Sequence, residues 1–301
     1  MTYKHEYNSL DEALKNPKDV IVLDLTGQNL AELPEEIESL VYLRELNLDD
    51  NNFRELPASL WRLKSLRILW LSGNPLGEIS ESIGDLINLE ELILEDTQIS
   101  ELPSSIGNLE NLTELLIAKN KLRELPASFK NLRKLEWLSA FENEFSEIPP
   151  VLLQLPSIDN LELSNNKISS VPAEIENLSS LWMLNLGSNN LTELPDEIWN
   201  IDSLESIYIE NNSLSQLSDK IGDSKGLTQL MINNNDLTEL PYSMQQLENL
   251  ENLRIHENPL SALPEWIYGL KNLESLELNV SFQSNADRLK SSLRGCDIQF
   301  K

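Results

Sequence analysis

One cysteine and two histidines in 301 residues are too few for a disulfide framework or for a zinc site built from several Cys and His ligands. Basic side chains are scarce as well. The 23 Lys and Arg stand against 50 Asp and Glu, giving a formal charge of −27 and a pI near 4.3, a balance that repels phosphate and argues against nucleic acid or an anionic membrane as partner. No apolar run nears the roughly 18 residues of a membrane span, and Met1-Thr2-Tyr3-Lys4-His5-Glu6 opens without an apolar stretch. The chain as it stands therefore reads as cytoplasmic, or as exported if a signal peptide has been removed. Glycine is held to 10 residues with no phosphate-cradling motif. Nucleophilic catalysis needs a base beside its nucleophile, and the histidines are His5 in the N-terminal tail and His256 far along the chain. The expectation is a protein that is not an enzyme, with no cofactor and no metal; Asp49-Asp50-Asn51-Asn52 lacks the alternate ligands and the Gly of a calcium loop.

What the chain has in excess is leucine, 60 residues, placed with regularity. From Val20 an apolar residue opens a unit every 23 positions: Leu43, Leu66, Leu89, Leu112, Leu135, Ile158, Leu181, Leu204, Leu227, Leu250 and Leu273. Twelve starts occur without insertion or deletion, the last unit incomplete. The pattern L-x-x-L-x-L-x-x-N-x-L-x-x-L-P-x-x-I-x-x-L-x-x is seen cleanly in Leu181, Leu184, Leu186, Asn189, Leu191, Leu194, Pro195, Ile198 and Ile201. It resembles the leucine-rich repeat family, and its second half is similar to the 23-residue repeats of bacterial and Ras-related intracellular members. The resemblance implies binding of another protein. Similar repeats precede GTPase or ligase domains in some relatives.

The residues account for a shape by themselves. Leu at positions four and six with polar neighbours between makes a short strand with one buried face, and stacked copies make a parallel sheet. Pro, then apolar residues three apart as in Pro34, Ile37 and Leu40, make a short helical or 3-10 turn on the other side. The expected class is α/β, a leucine-rich-repeat solenoid curved into a horseshoe with strands on the inside of the arc. Nine units carry Asn at position nine, from Asn51 to Asn258, and a buried amide there can satisfy backbone groups where the chain leaves the strand. Thr97 interrupts that column, Ser80 and Ser218 replace Pro, and Ser224 replaces a closing apolar residue, so the third, fourth and ninth units are expected to be soft. Residues 1–19 are read as a helical N-terminal cap with a capping box at Ser9-Leu10-Asp11-Glu12, 20–280 as the repeats, and 281–301 as a C-terminal cap of helix and edge strand, all one domain. Cys296 is read as a small apolar group.

Side chains flanking the strand leucines are free of the framework. In the third to sixth units they bring together Ile68, Trp70, Ile93, Leu116, Trp137 and Phe141, a contiguous apolar patch of the kind that marks an interface. An acidic rim of Glu45, Asp49, Asp50, Glu91, Glu95, Asp96, Glu114 and Glu142 surrounds it, and Met183, Tyr208 and Met231 form a sparser second cluster. Such a face fits a protein or peptide with apolar anchors among Lys or Arg. His256, near Arg254 and Glu277, is read as a solvated side chain beside a carboxylate, and Trp61, Trp199, Trp266 and Tyr268 as leaning on neighbouring units. The recurrent Glu at position thirteen, Glu32 to Glu239, is a solubilising ladder. The alternatives are the sensing portion of a larger GTPase or ligase, an exported adhesin, and a homodimer through the patch; a monomer is the expectation.

Overall fold

Each 23-residue repeat contributes one strand of three or four residues and, farther along, a 3-10 segment. The computed structural model describes residues 5–301, so the part of the N-terminal cap expected over residues 1–4 lies outside the described residues. Two compact units emerge, one running to Glu144 and including Pro149–Ile158, the other made of Phe145–Ile148 and Asp159–Lys301.

In the first unit, β1 (Glu6–Tyr7), β2 (Val22–Asp24), β3 (Glu45–Asn47), β4 (Ile68–Trp70), β5 (Glu91–Ile93), β6 (Glu114–Leu116) and β7 (Trp137–Ser139) pair parallel in chain order. Register follows the repeat, so that Glu91 faces Glu114 and Glu114 faces Trp137. A two-residue strand carries no periodicity to detect, and β1 is an addition to the sequence reading. Between β1 and β2 lies α1 (Leu10–Lys15), whose Ser9 hydroxyl accepts from the Glu12 N–H at 3.5 Å. The second unit repeats the arrangement with β8 (Asn160–Glu162), β9 (Met183–Asn185), β10 (Ser206–Tyr208), β11 (Gln229–Met231), β12 (Asn252–Arg254), β13 (Ser275–Leu278) and β14 (Asp297–Phe300). Before β14 come a 3-10 segment, Val280–Asn285, and α2 (Ala286–Ser292), which gives way to Gly295 at φ +89°.

Leucines at positions four and six, such as Leu46, Leu48, Leu69 and Leu71, are fully buried, each stabilising by roughly 1.5–3 kcal/mol. The expected helical turns are 3-10 in the repeats, most of them entered from Pro: the Ile37 N–H reaches the carbonyl of Pro34, itself extended, at 3.1 Å, and the Leu40 N–H the Ile37 carbonyl at 3.1 Å. Where Ser80 and Ser218 replace Pro, each hydroxyl caps the turn by accepting from Ser82 and Lys220 N–H at 3.2 Å. Within each unit, consecutive 3-10 segments stack on one another as the strands do.

The asparagine column works as the amide chemistry requires. Asn189 donates to the carbonyls of Leu163, Leu186 and Gly187 at 3.0, 3.0 and 3.3 Å, and accepts from Ile168 N–H at 2.9 Å. Thr97 keeps part of this, its hydroxyl donating to Leu94 O at 2.9 Å while its N–H donates to Asn120 Oδ1 at 3.1 Å. Ser224 is buried and its hydroxyl donates to Trp199 O at 3.3 Å. The substitutions that marked soft repeats thus each bring a hydrogen bond of their own. Two further regularities accompany them. Position twenty-three adds a second ladder, with Asn88, Asn111, Asn249 and Asn272 donating to the carbonyl 24 residues earlier. Position eight is left-handed in eleven repeats, from Gly27 to Glu257, with φ between +52° and +67°. There Gly73 also meets Asp50, whose Oδ1 would lie 2.5 Å from an added Cβ.

Candidate functional site

The sheet face of the first unit is built from repeat positions three, five and seven on β2 to β7. Ile68, Trp70, Ile93, Leu116 and Phe141 are half-buried, and Trp137 is 38% exposed. Neither indole is hidden under the rest of the unit. Trp70 Nε1 donates to Glu91 Oε1 at 2.5 Å, which fixes the ring across the neighbouring strand. A shallow cavity of about 190 Å³ opens beside it, lined by Glu6, Asp24, Glu45, Asn47, Ile68 and Trp70 among others. Lys119 lies over the Phe141 ring at 5.8 Å from its centroid.

The acidic residues divide into two sets. Glu91 and Glu114 are not a rim: they face one another in register between Ile68 and Trp137, inside the patch. Burial, with the Glu91 charge added, raises the Glu114 carboxyl. Glu45 stands exposed on β3. Asp49 and Glu95 are half-buried at position seven, joined through Ser72, whose N–H donates to Asp49 Oδ1 at 2.6 Å and whose hydroxyl accepts from Glu95 N–H at 3.3 Å. Burial pushes the Asp49 carboxyl up to about 6, against the Ser72 hydrogen bond, with Asp50, Asp24 and Glu95 adding repulsion. Asp50, Asp96 and Glu142 stand at position eight, the left-handed turn just after the strand, outside the three face columns, and are exposed.

The sheet face of the second unit is polar. Met183 and Tyr208 are half-buried, the Tyr208 hydroxyl donating to Gln229 Oε1 at 2.8 Å. Met231 is a correction: in register between Tyr208 and Arg254, it is buried at 6% exposure and offers little surface. Trp182, 44% exposed just ahead of β9, is an aromatic beside the sheet face that the sequence reading does not include. Its place at position two, which elsewhere carries Arg44, Glu90 and Glu205, was the available signal. Glu277 gathers Arg254 Nε at 3.0 Å, His256 Nε2 at 3.4 Å and Lys301 Nζ at 4.0 Å. Burial raises the Glu210 carboxyl, with Arg254 opposing. Trp61, Trp199, Trp266 and Tyr268 are all buried. Burial and the Asp297 charge push the Cys296 thiol up to about 11, which withholds the reactive thiolate. Among the described residues, no group of three or more His, Cys, Asp or Glu is arranged to hold a metal ion, and no helix is long and apolar enough to cross a membrane.

The family described as Leucine rich repeat matches residues 18–76, 142–191, 156–214 and 202–260, and that described as Leucine-rich repeat region matches residues 78–163. No curated protein matches the chain. Among solved structures, a leucine-rich-repeat protein of Leptospira interrogans is 28% identical over 98% of this chain and 99% of its own, with a TM-score of 0.58. An internalin of Listeria monocytogenes is 23% identical over 95% of this chain and 88% of its own, with a TM-score of 0.76. The plant peptide hormone receptor RGFR1, solved in complex with RGF2, is 27% identical over 91% of this chain and 54% of its own, with a TM-score of 0.56.

Proposed function

On the premise that the chain belongs to the leucine-rich-repeat family, we propose that it is a non-enzymatic recognition scaffold whose first-unit sheet face binds a protein or peptide. The observation that carries this reading is the pair Trp70 and Trp137, which share a face with Ile93 and Leu116 and leave their rings open. Framework burial is complete without them, since the leucines behind the same strands are fully buried. Large aromatic rings on an open sheet face are typical interface anchors. The plant receptor solved with its peptide hormone supports the general role.

Partner chemistry follows from charge. Asp24, Glu45, Asp49, Glu91, Glu95 and Glu114 occupy the same three columns, so the partner presents apolar anchors among Lys or Arg. A cytoplasmic setting completes the proposal and is supported by the lone cysteine. Trp70→Ala combined with Trp137→Ala should abolish capture of a partner from lysate, while circular dichroism and the melting temperature stay close to those of the parent. Undiminished capture by a folded double variant would refute the site.

A further inference from the structure

The molecule's net charge is −27, yet residues 119–134 hold six cations, Lys119, Lys121, Arg123, Lys130, Arg133 and Lys134, against the single carboxylate Glu124. Three of them, Lys130, Arg133 and Lys134, are exposed around a concavity of about 520 Å³ in the first unit, which Asn131, Gln154 and Glu110 complete. This concavity lies along the 3-10 segments Ala127–Asn131 and Leu152–Gln154, away from the strand positions of the proposed face.

What sets the cluster apart is how the repeat treats a cation at position twenty-two. Four occur: Lys64, Arg133, Lys225 and Lys271. Each lysine bridges the carbonyl three residues back and the residue 21 ahead: Lys64 reaches Trp61 O and Asp85 O, Lys225 reaches Gly222 O and the Gln246 amide, and Lys271 reaches Tyr268 O and Ser292 O. Lys64 also pairs with the Asp85 carboxylate at 3.7 Å. Opposite Arg133 the residue 21 ahead is Gln154, whose amide donates instead to Pro150 O at 3.4 Å. Among the described residues, Arg133 and Lys130 have no ion pair and no side-chain hydrogen bond, and Lys134 Nζ donates only to the neutral Asn111 amide at 2.8 Å. Elsewhere in the unit, Arg62, Arg67 and Arg123 find carboxylates across the repeat.

We propose that Lys130, Arg133 and Lys134 form a binding site for a phosphate monoester dianion. A guanidinium fork beside two ammonium groups matches three phosphate oxygens, and Asn131 and Gln154 supply amide donors at the same walls. Compactness of the ligand follows from screening. At physiological ionic strength charges beyond about 8 Å are largely hidden, so a small dianion feels the local cations and not the acidic molecule. A long polyanion would extend beyond this patch into the surrounding negative surface.

The test uses the full chain, ¹⁵N-labelled, in physiological salt, titrated with inorganic phosphate, with a short phosphoserine peptide and with acetate. Expected are saturable amide shifts at Asn131, Arg133 and Gln154 with both phosphate probes, at concentrations where acetate gives none. Lys130→Gln with Arg133→Gln should weaken them about ten-fold, and Arg294→Gln, a cation of the second unit, should leave them unchanged. Tighter binding of the peptide assigns the phosphate to a protein side chain, tighter binding of inorganic phosphate to a small metabolite. Shifts that never saturate, equal response to acetate, or an unweakened double variant with unchanged circular dichroism would each overturn the site.

Discussion

Between β2 and β7, the third, fifth and seventh repeat positions hold six carboxylates, no cation, and the aromatic rings Trp70, Trp137 and Phe141. Between β8 and β13 the same positions hold Glu162, Glu210 and Glu277 together with Arg254 and His256, the apolar Met183 and Met231 and a single aromatic ring, Tyr208, among Asn, Ser, Gln and Gly. The frame behind the two faces is the same. Leucines are fully buried in both, the asparagine column makes the same bonds, and position eight is left-handed in both. Folding physics therefore sets the buried columns and constrains the three face columns far less, and it is in those columns that the two units diverge.

That claim is broken most directly at the frame. Asn120 in the first unit donates to Leu94, Ile117 and Ala118 carbonyls and accepts from Thr97 and Ile99 N–H, much as Asn189 does in the second. Alanine at either position strands several buried backbone groups, so Asn120→Ala and Asn189→Ala should each cost about 3 kcal/mol in urea unfolding. Costs that differ by more than about 1.5 kcal/mol would show that the two frames are not equivalent.

The face columns should respond with opposite signs. Asp49 titrates near 6 in the folded chain against an ordinary 3.8. A raised carboxyl binds its proton more tightly when folded, so its contribution weakens stability as pH rises from about 4 to 6 and stays unfavourable above. Asp49→Asn should therefore stabilise at pH 7 by about 1 kcal/mol, the full shift being discounted because the group is only half-buried. That advantage should vanish toward pH 4. Glu277→Gln, among Arg254, His256 and Lys301, should instead cost up to about 1 kcal/mol at pH 7. Melting temperatures across pH decide both.

The repeat made nearly all of the frame legible, because a period of 23 repeated without a gap fixes strand, turn and asparagine together. Less of the face was legible. Trp70 and Trp137 could be placed on it by counting. Counting could not see that Met231 is buried, because that depends on side-chain packing. Nor did it register position eight as a turn, although Gly27, Asp50, Gly73, Asn165, Asn211 and Asn234 recur there, residue types that tolerate left-handed backbone. The two-residue β1 and the Trp70 bond to Glu91 have no sequence signature at all.

Position eight gives the finest test. Glu142 in the first unit and Glu257 in the second sit at φ +52° and +53°, a region that penalises a Cβ and that glycine enters freely. Relief of that penalty exceeds the added chain entropy of glycine by a small margin, so Glu142→Gly and Glu257→Gly should each stabilise by about 0.5 kcal/mol. Because Glu142 lies in the turn after the strand, outside the three face columns, the Glu142→Gly chain should still capture its partner with undiminished yield. Weaker capture, with the stability gain intact, would return Glu142 to the binding surface and extend the first unit's face beyond its three columns.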